Sequence, residues 1–278
     1  MKKIGNIGSA FIPFLVAIGI QIVVAGVIGF VSGVLFSIGE GEYSTIENAT
    51  YQSIDAQVQL SITAIIAIIC LVVFGIWYKR LNMNHPKGEL KKILRTKSIL
   101  GIILLGIGIQ VSLSLILNII ASIKPDWFHN YGQVMEQLGR GNSLLSIIYI
   151  VIIAPISEEY IFRGVTFHKA YKVMPYMGAN ILQAILFGVY HGNIVQGSYA
   201  FLLGVFLGLV CFKLHSIFAA ILLHMVINLS GILFGFISTD SIFYTTGISF
   251  VVSIAGIASV IIGTVILLTN KKTGVDRY

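Results

Sequence analysis

Apolar residues in this chain run in long blocks broken by short polar connectors, and the blocks have the length of membrane spans. A transmembrane helix needs about 20 mostly apolar residues. Stretches of that kind lie near 9–36, 59–78, 98–121, 143–163, 178–196, 198–214, 216–237 and 247–269. The pattern predicts an all-α polytopic membrane helix bundle with about eight transmembrane helices. The fifth to seventh stretches follow one another closely, so their boundaries are the least sharply drawn. Met1-Lys2-Lys3 ahead of the first stretch resembles the start of a signal peptide. The apolar run behind it is long and lacks a clear small-residue cleavage site, which suits a retained anchor better.

Composition agrees with the block pattern. Hydrophobic residues make up 56% of the 278 residues and charged residues 10%, with a mean hydropathy of +0.93. Those values do not describe a soluble domain. No internal repeat, low-complexity tract or long linker is evident. The expected organisation is therefore one membrane domain over 1–278, with an N-terminal helix pair in 1–80 and a core bundle in 98–270.

The net charge of +7 reads as topology. Basic residues favour the cytoplasmic side of a membrane. The segment after the second span carries Lys79, Arg80, Lys87, Lys91, Lys92, Arg95 and Lys97, whereas the loop 39–58 carries only acids. Alternation from there puts both termini and the 79–97 loop in the cytoplasm of a multi-pass cell-membrane protein, and the 39–58 loop outside. Attraction of the basic loop to anionic lipid headgroups is a sufficient account of its charge, so no nucleic-acid partner is expected. Cys70 and Cys211 lie inside apolar spans without metal-type spacing and read as small core residues.

Against this background the polar residues inside the spans stand out. Of eleven carboxylates, only the adjacent pair Glu158 and Glu159 falls in an apolar stretch. A charge at membrane depth costs at least a few kcal/mol and usually faces a cavity, an ionic partner or a substrate path. Glu159 and Arg163 are one helical turn apart, acid before base, so Arg163 can neutralise Glu159 while Glu158 points about 100° away. Pro155, just before the pair, cannot donate a backbone hydrogen bond and favours a kink that opens room for water. The competing structural reading is a buried ion pair that only holds helices together.

Two of the six histidines also fall in apolar spans, His191 and His224. A lone intramembrane histidine is commonly an interhelical hydrogen-bonding group, but two of them beside a spare carboxylate suggest a site. Asn228 lies one turn after His224 on the same face, and Phe187 one turn before His191 offers an aromatic wall beneath the imidazole. At about 1.5 Å per residue, His224 and His191 lie about 12 Å and 15–20 Å from the cytoplasmic ends of their helices. Glu158 reaches a similar depth only if its helix continues past the apolar limit, through His168 and Lys169. Gln21, Gln110, Asn118 and Gln183 read as interhelical glue, and Gly29/Gly33, Gly204/Gly208 and Gly231/Gly235 as close-packing pairs.

A carboxylate, two imidazoles and a carboxamide in a lipid-shielded cavity suit amide hydrolysis. The carboxylate can take a proton from water, one imidazole can orient that water, and the second with the carboxamide can support an oxyanion. Glu158, His191 and His224 can alternatively hold one divalent metal such as zinc, which would activate the water itself. Other intramembrane protease chemistries lack their parts: there is no His-Glu-x-x-His, no Gly-x-Ser-Gly and no aspartate inside any span.

Glu158-Glu159-x-x-x-Arg163, Phe187-x-x-x-His191 and His224-x-x-x-Asn228, in that order on successive helices, resemble the three motifs of the CPBP family. This family contains CAAX prenyl proteases and bacteriocin-processing or immunity proteins and is also called the Abi family. The resemblance covers the stretch from Pro155 to about Ser230 and includes Tyr160-Ile161-Phe162-Arg163-Gly164 and His191-Gly192-Asn193. It implies an eight-helix intramembrane endopeptidase in which Glu158 activates water, His191 helps to bind it, and His224 with Asn228 supports the oxyanion. The substrate would be a membrane-embedded or lipidated peptide or protein, and no cofactor or one divalent metal would be used. Two other readings remain: a non-proteolytic immunity or partner-binding protein using the same cavity, and a transporter that relays protons through its buried groups.

Overall fold

The computed structural model describes residues 7–39, 48–81, 93, 96–137, 143–237 and 246–269. Nearly all of them are helical: α1 (Ile12–Gly39), α2 (Asn48–Arg80), α3 (Thr96–Ile123), α4 (Pro125–Gln137), α5 (Leu144–Val173), α6 (Tyr176–Tyr190), α7 (Ile194–Leu214), α8 (Ile217–Ile237) and α9 (Thr246–Thr269). Seven of these are long and apolar enough to cross a membrane, and α6 is a shorter apolar helix. The chain is a multi-pass, all-α membrane bundle. Its large exposed aliphatic residues, such as Ile22 on α1 and Ile261 on α9, suit contact with lipid.

Several expected boundaries move. The acidic loop assigned to 39–58 is helical from Asn48 onward, as α2 begins well before its apolar stretch. The connector between the third and fourth spans contains a helix that the apolar blocks did not reveal, α4, with Asp126 in its first turn, where a carboxylate offsets the helix dipole. The expected fifth span, 178–196, ends early. His191 is the C-terminal cap of α6, Gly192 takes a positive φ of 65°, and the Asn193 side chain accepts from the backbone N–H groups of Val195 and Gln196 to start α7. Glycine tolerates that backbone and asparagine supplies the cap, so three residues close one helix and open the next. Most of the basic 79–97 loop, part of the 39–58 loop and both termini lie outside the described residues.

The bundle is held by close backbone approach in two places. In the α6/α7 hairpin, Gln183 donates to the Gly204 carbonyl at 2.8 Å and Asn180 to the Val205 carbonyl at 3.1 Å. A Cβ at Gly204 would lie 2.9 Å from Ala184, and one at Gly208 would collide with the Asn180 side chain, so this small-residue pair is a real contact. Between α3 and α9, a Cβ at Gly108 would lie 2.6 Å from the Val260 nitrogen and one at Gly263 2.5 Å from the Leu105 nitrogen. Gly29 and Gly235, by contrast, have open space around them. Helices α1 and α2 both pack against α5, the helix that carries the two glutamates.

Candidate functional site

Helix α5 is not a regular α-helix. It winds as a π-helix over Tyr149–Ile153, returns to α-helix over Ala154–Glu159, and winds as π again over Tyr160–Thr166 before running on to Val173. Glu158 and Glu159 thus end the single α turn between two π segments, a type of irregularity that concentrates at functional sites. The first segment has a direct cause in the sequence. In π winding each carbonyl seeks the N–H five residues on, as the Tyr149 carbonyl does with Ala154. The next carbonyl, of Ile150, would need the N–H of Pro155, which has none. Asn228 on α8 fills the gap, donating from its side-chain nitrogen to the Ile150 carbonyl at 2.8 Å.

The two glutamates have different surroundings. Glu159 is fully buried, and its Oε1 accepts from Arg163 Nη1 at 2.9 Å and from His224 Nδ1 at 2.9 Å. Arg163 is itself fully buried, with its guanidinium carbon 4.5 Å from the Phe187 ring centre, a cation–π contact in a desolvated setting. Glu158 is 16% exposed, with Oε2 3.7 Å from His224 Nε2, and it lines a cavity. The spacing argument that Arg163 neutralises Glu159 and leaves Glu158 free matches this geometry. The bond between Glu159 and His224 was not anticipated, because it joins residues 65 positions apart.

Hydrogen-bond logic assigns the ring protons. A carboxylate only accepts, so His224 Nδ1 carries a proton toward Glu159. His224 Nε2 then faces Glu158 Oε2 at a distance too long for a direct hydrogen bond. A proton on either atom turns two facing lone pairs into an attraction, and with that proton on His224 two carboxylates and two cations balance. His191 Nδ1 lies 2.8 Å from the Phe187 carbonyl, which also accepts only. The Nε2 of a neutral His191 is then a free acceptor, and His191 sits within electrostatic reach of Glu158, His224 and Arg163. Phe187 packs edge-on to both imidazoles, with ring centres 4.8 Å from His191 and 5.9 Å from His224. One aromatic ring therefore positions both histidines and the arginine.

As a metal cage the set does not assemble. Among the described residues, no three His, Cys, Asp or Glu side chains converge as ligands. His224 Nδ1 is committed to the buried Glu159 at 2.9 Å, and its Nε2 faces Glu158 Oε2 at 3.7 Å.

Five polar groups near Glu158 lie outside the motifs' site residues. Gln21 on α1, Thr63 on α2, Tyr149 and Ser157 on α5 and Tyr190 on α6 line the same cavity. The sequence presents Gln21 as interhelical glue, and Thr63, Ser157 and the tyrosines carry no signal in it, since such residues are common in apolar helices.

The fold and the site together define a class: a polytopic helical membrane protein with a charged, hydrogen-bonded centre buried between its helices. Residues 140–230, about a third of the chain, match the family model described as Rce1-like, type II CAAX prenyl endopeptidase. The match covers the stretch that carries the three motifs and supports the resemblance to the CPBP/CAAX-protease family. No curated protein and no solved structure matches the chain.

Proposed function

We propose that this protein is an intramembrane endopeptidase that hydrolyses peptide bonds of membrane-associated or lipidated peptides with a water activated by Glu158. The observation that carries this reading is the division of labour between adjacent carboxylates. Glu159 is consumed by Arg163 and His224, whereas Glu158 opens onto a polar cavity with no cation bound to it closely. A purely structural pair would leave no reason to bury the second carboxylate.

In the proposed reaction Glu158 takes a proton from water as the water oxygen bonds to the peptide carbonyl carbon. His191, whose Nε2 is left as an acceptor, orients that water. The carbonyl oxygen becomes an oxyanion, stabilised by a proton on His224 Nε2 and by the second N–H of Asn228, the first being held by Ile150. Glu158 then passes its proton to the leaving nitrogen as the carbon–nitrogen bond breaks. Glu159 and Arg163 act through His224, fixing its ring and balancing its charge.

The orientation proposed from the basic residues sets both termini and the 79–97 loop in the cytoplasm of a cell membrane. Cysteines introduced at Ser44 and Lys91 should then label from outside and only after permeabilisation, respectively. The substrate is tested by comparing peptides released from membranes containing the wild-type protein or Glu158→Ala. Membrane-derived fragments present only with the wild type are expected, and identical peptide sets would contradict a protease.

A further inference from the structure

The cavity beside Glu158 has a volume of about 60 Å³ and is built by four helices. Two of its polar side chains, Gln21 and Thr63, come from α1 and α2, outside the segment that matches the endopeptidase family. Gln21 interacts with Tyr190 and Thr63 with Tyr149, so four of the polar groups form two pairs in the wall that Glu158 and Ser157 share. The Thr63 hydroxyl donates within its own helix, to the Leu60 carbonyl at 2.9 Å, which leaves its oxygen as an acceptor. Gln21 and the tyrosine hydroxyls can both donate and accept.

This wall selects its occupant. A buried water needs two to four hydrogen-bonding partners and about 10–15 Å³, so the space and the mixture of donors and acceptors fit several waters. An anion would face a carboxylate with no cation in the lining, and an apolar group would strand six polar side chains. We propose that the cavity is a buried water site that feeds Glu158, and that Gln21 and Thr63 are positioning residues for the reacting water. The proposal deepens the hydrolase reading above and rests on it for its catalytic part. It also gives the N-terminal helix pair a share in the chemistry.

The test uses full-length protein in lipid nanodiscs. Radiolytic hydroxyl-radical footprinting labels side chains that touch bound water, and Tyr149 and Tyr190 should be oxidised severalfold faster than the buried Tyr78. Ala67→Leu, which projects into the cavity, should bring both down toward the Tyr78 rate; Gln21→Leu serves the same purpose if Ala67→Leu does not fold. In steady-state assays Thr63→Val and Gln21→Leu should lower kcat by up to about tenfold, the loss of one hydrogen bond to the reacting water, with KM unchanged. Thr63→Ser should restore the rate. Tyrosines labelled no faster than Tyr78 would overturn the water site and leave the hydrolase reading standing. Raised KM at unchanged kcat would overturn it by placing Gln21 and Thr63 on the peptide, and a strict requirement for sodium would overturn it in favour of a cation. Rapid labelling with no turnover in the wild type would keep the water site and remove the hydrolase.

Discussion

Helix pair α3/α9 and helix pair α5/α8 solve opposite problems with the same apolar solvent around them. At α3/α9, Gly101, Gly108, Gly256 and Gly263 bring backbone against side chain and backbone so closely that a Cβ at each would lie within about 3 Å of a neighbour. Without a hydrophobic drive between helices in lipid, such packing is a main source of attraction. At α5/α8 the α5 backbone is irregular and the contact is made by Glu159, Arg163, His224 and Asn228, while the cavity beside Glu158 opens on the side of α5 that faces α1, α2 and α6. One pair is tight because small residues let the backbones meet, with the Ser259 hydroxyl donating across it to the Leu104 carbonyl at 2.7 Å; the other is held by charged and amide side chains. A membrane protein can carry an expensive charged centre where hydrogen bonds tie it down and where other parts of the bundle supply the packing.

Breaking the charged pair should cost most. Arg163→Ala leaves Glu159 with an uncompensated charge at 0% exposure, and loss of one partner of a buried pair typically costs about 3–5 kcal/mol. Thermal unfolding of purified protein should show a large drop in Tm. Unchanged Tm would mean that Glu159 does not depend on Arg163.

Overfilling the packed pair comes next. Gly263→Val places a side chain against the Leu105 backbone, and overpacking should destabilise by about 1–3 kcal/mol. Gly29→Ala, in open space on α1, should leave Tm the same or slightly higher. Equal losses at both positions would remove the contrast between them.

Asn228→Ala should cost about 1–3 kcal/mol by leaving the Ile150 carbonyl unpaired in the π turn, and it should lower kcat as well. Asn228→Asp, which cannot donate when ionised, should not rescue stability. A variant that loses activity at unchanged Tm would show that the bond to Ile150 contributes little. The smallest effect is expected from chelation: dialysis of purified protein against a strong chelator should leave turnover unchanged. Loss restored by added zinc, with about one metal bound per chain, would make His191 and His224 ligands after all.

The sequence made the centre legible because polar residues are so sparse in the spans. Glu158, Glu159, His191 and His224 stand out as titratable residues inside apolar stretches, Asn228 by its place one turn after His224, and the four-residue spacing is enough to pair Glu159 with Arg163. It hid whatever depends on contacts between distant residues. The bond from His224 to Glu159 spans 65 positions, and the tie from Asn228 to Ile150 exists only because Pro155 withholds a donor from a π turn, a winding that apolar periodicity does not encode. His191 was placed within a span because the apolar run continues past it, although Gly192 and Asn193 are ordinary signals for a helix end and a new start. Helix α4 was missed for the converse reason, since it is too short and too polar to stand out among membrane spans. Thr63 looked like any small residue in an apolar helix until folding set it beside Tyr149.

The central claim is that Glu158 is the base, and the substitution Glu158→Gln tests it most directly. Glutamine keeps the shape and the cavity but cannot take a proton from water. Purified variant and wild type should be compared for turnover of the same membrane-derived peptide and for Tm. The account predicts a rate lower by about 10²–10⁴-fold with Tm nearly unchanged, and cleavage by the variant at the wild-type rate would contradict it.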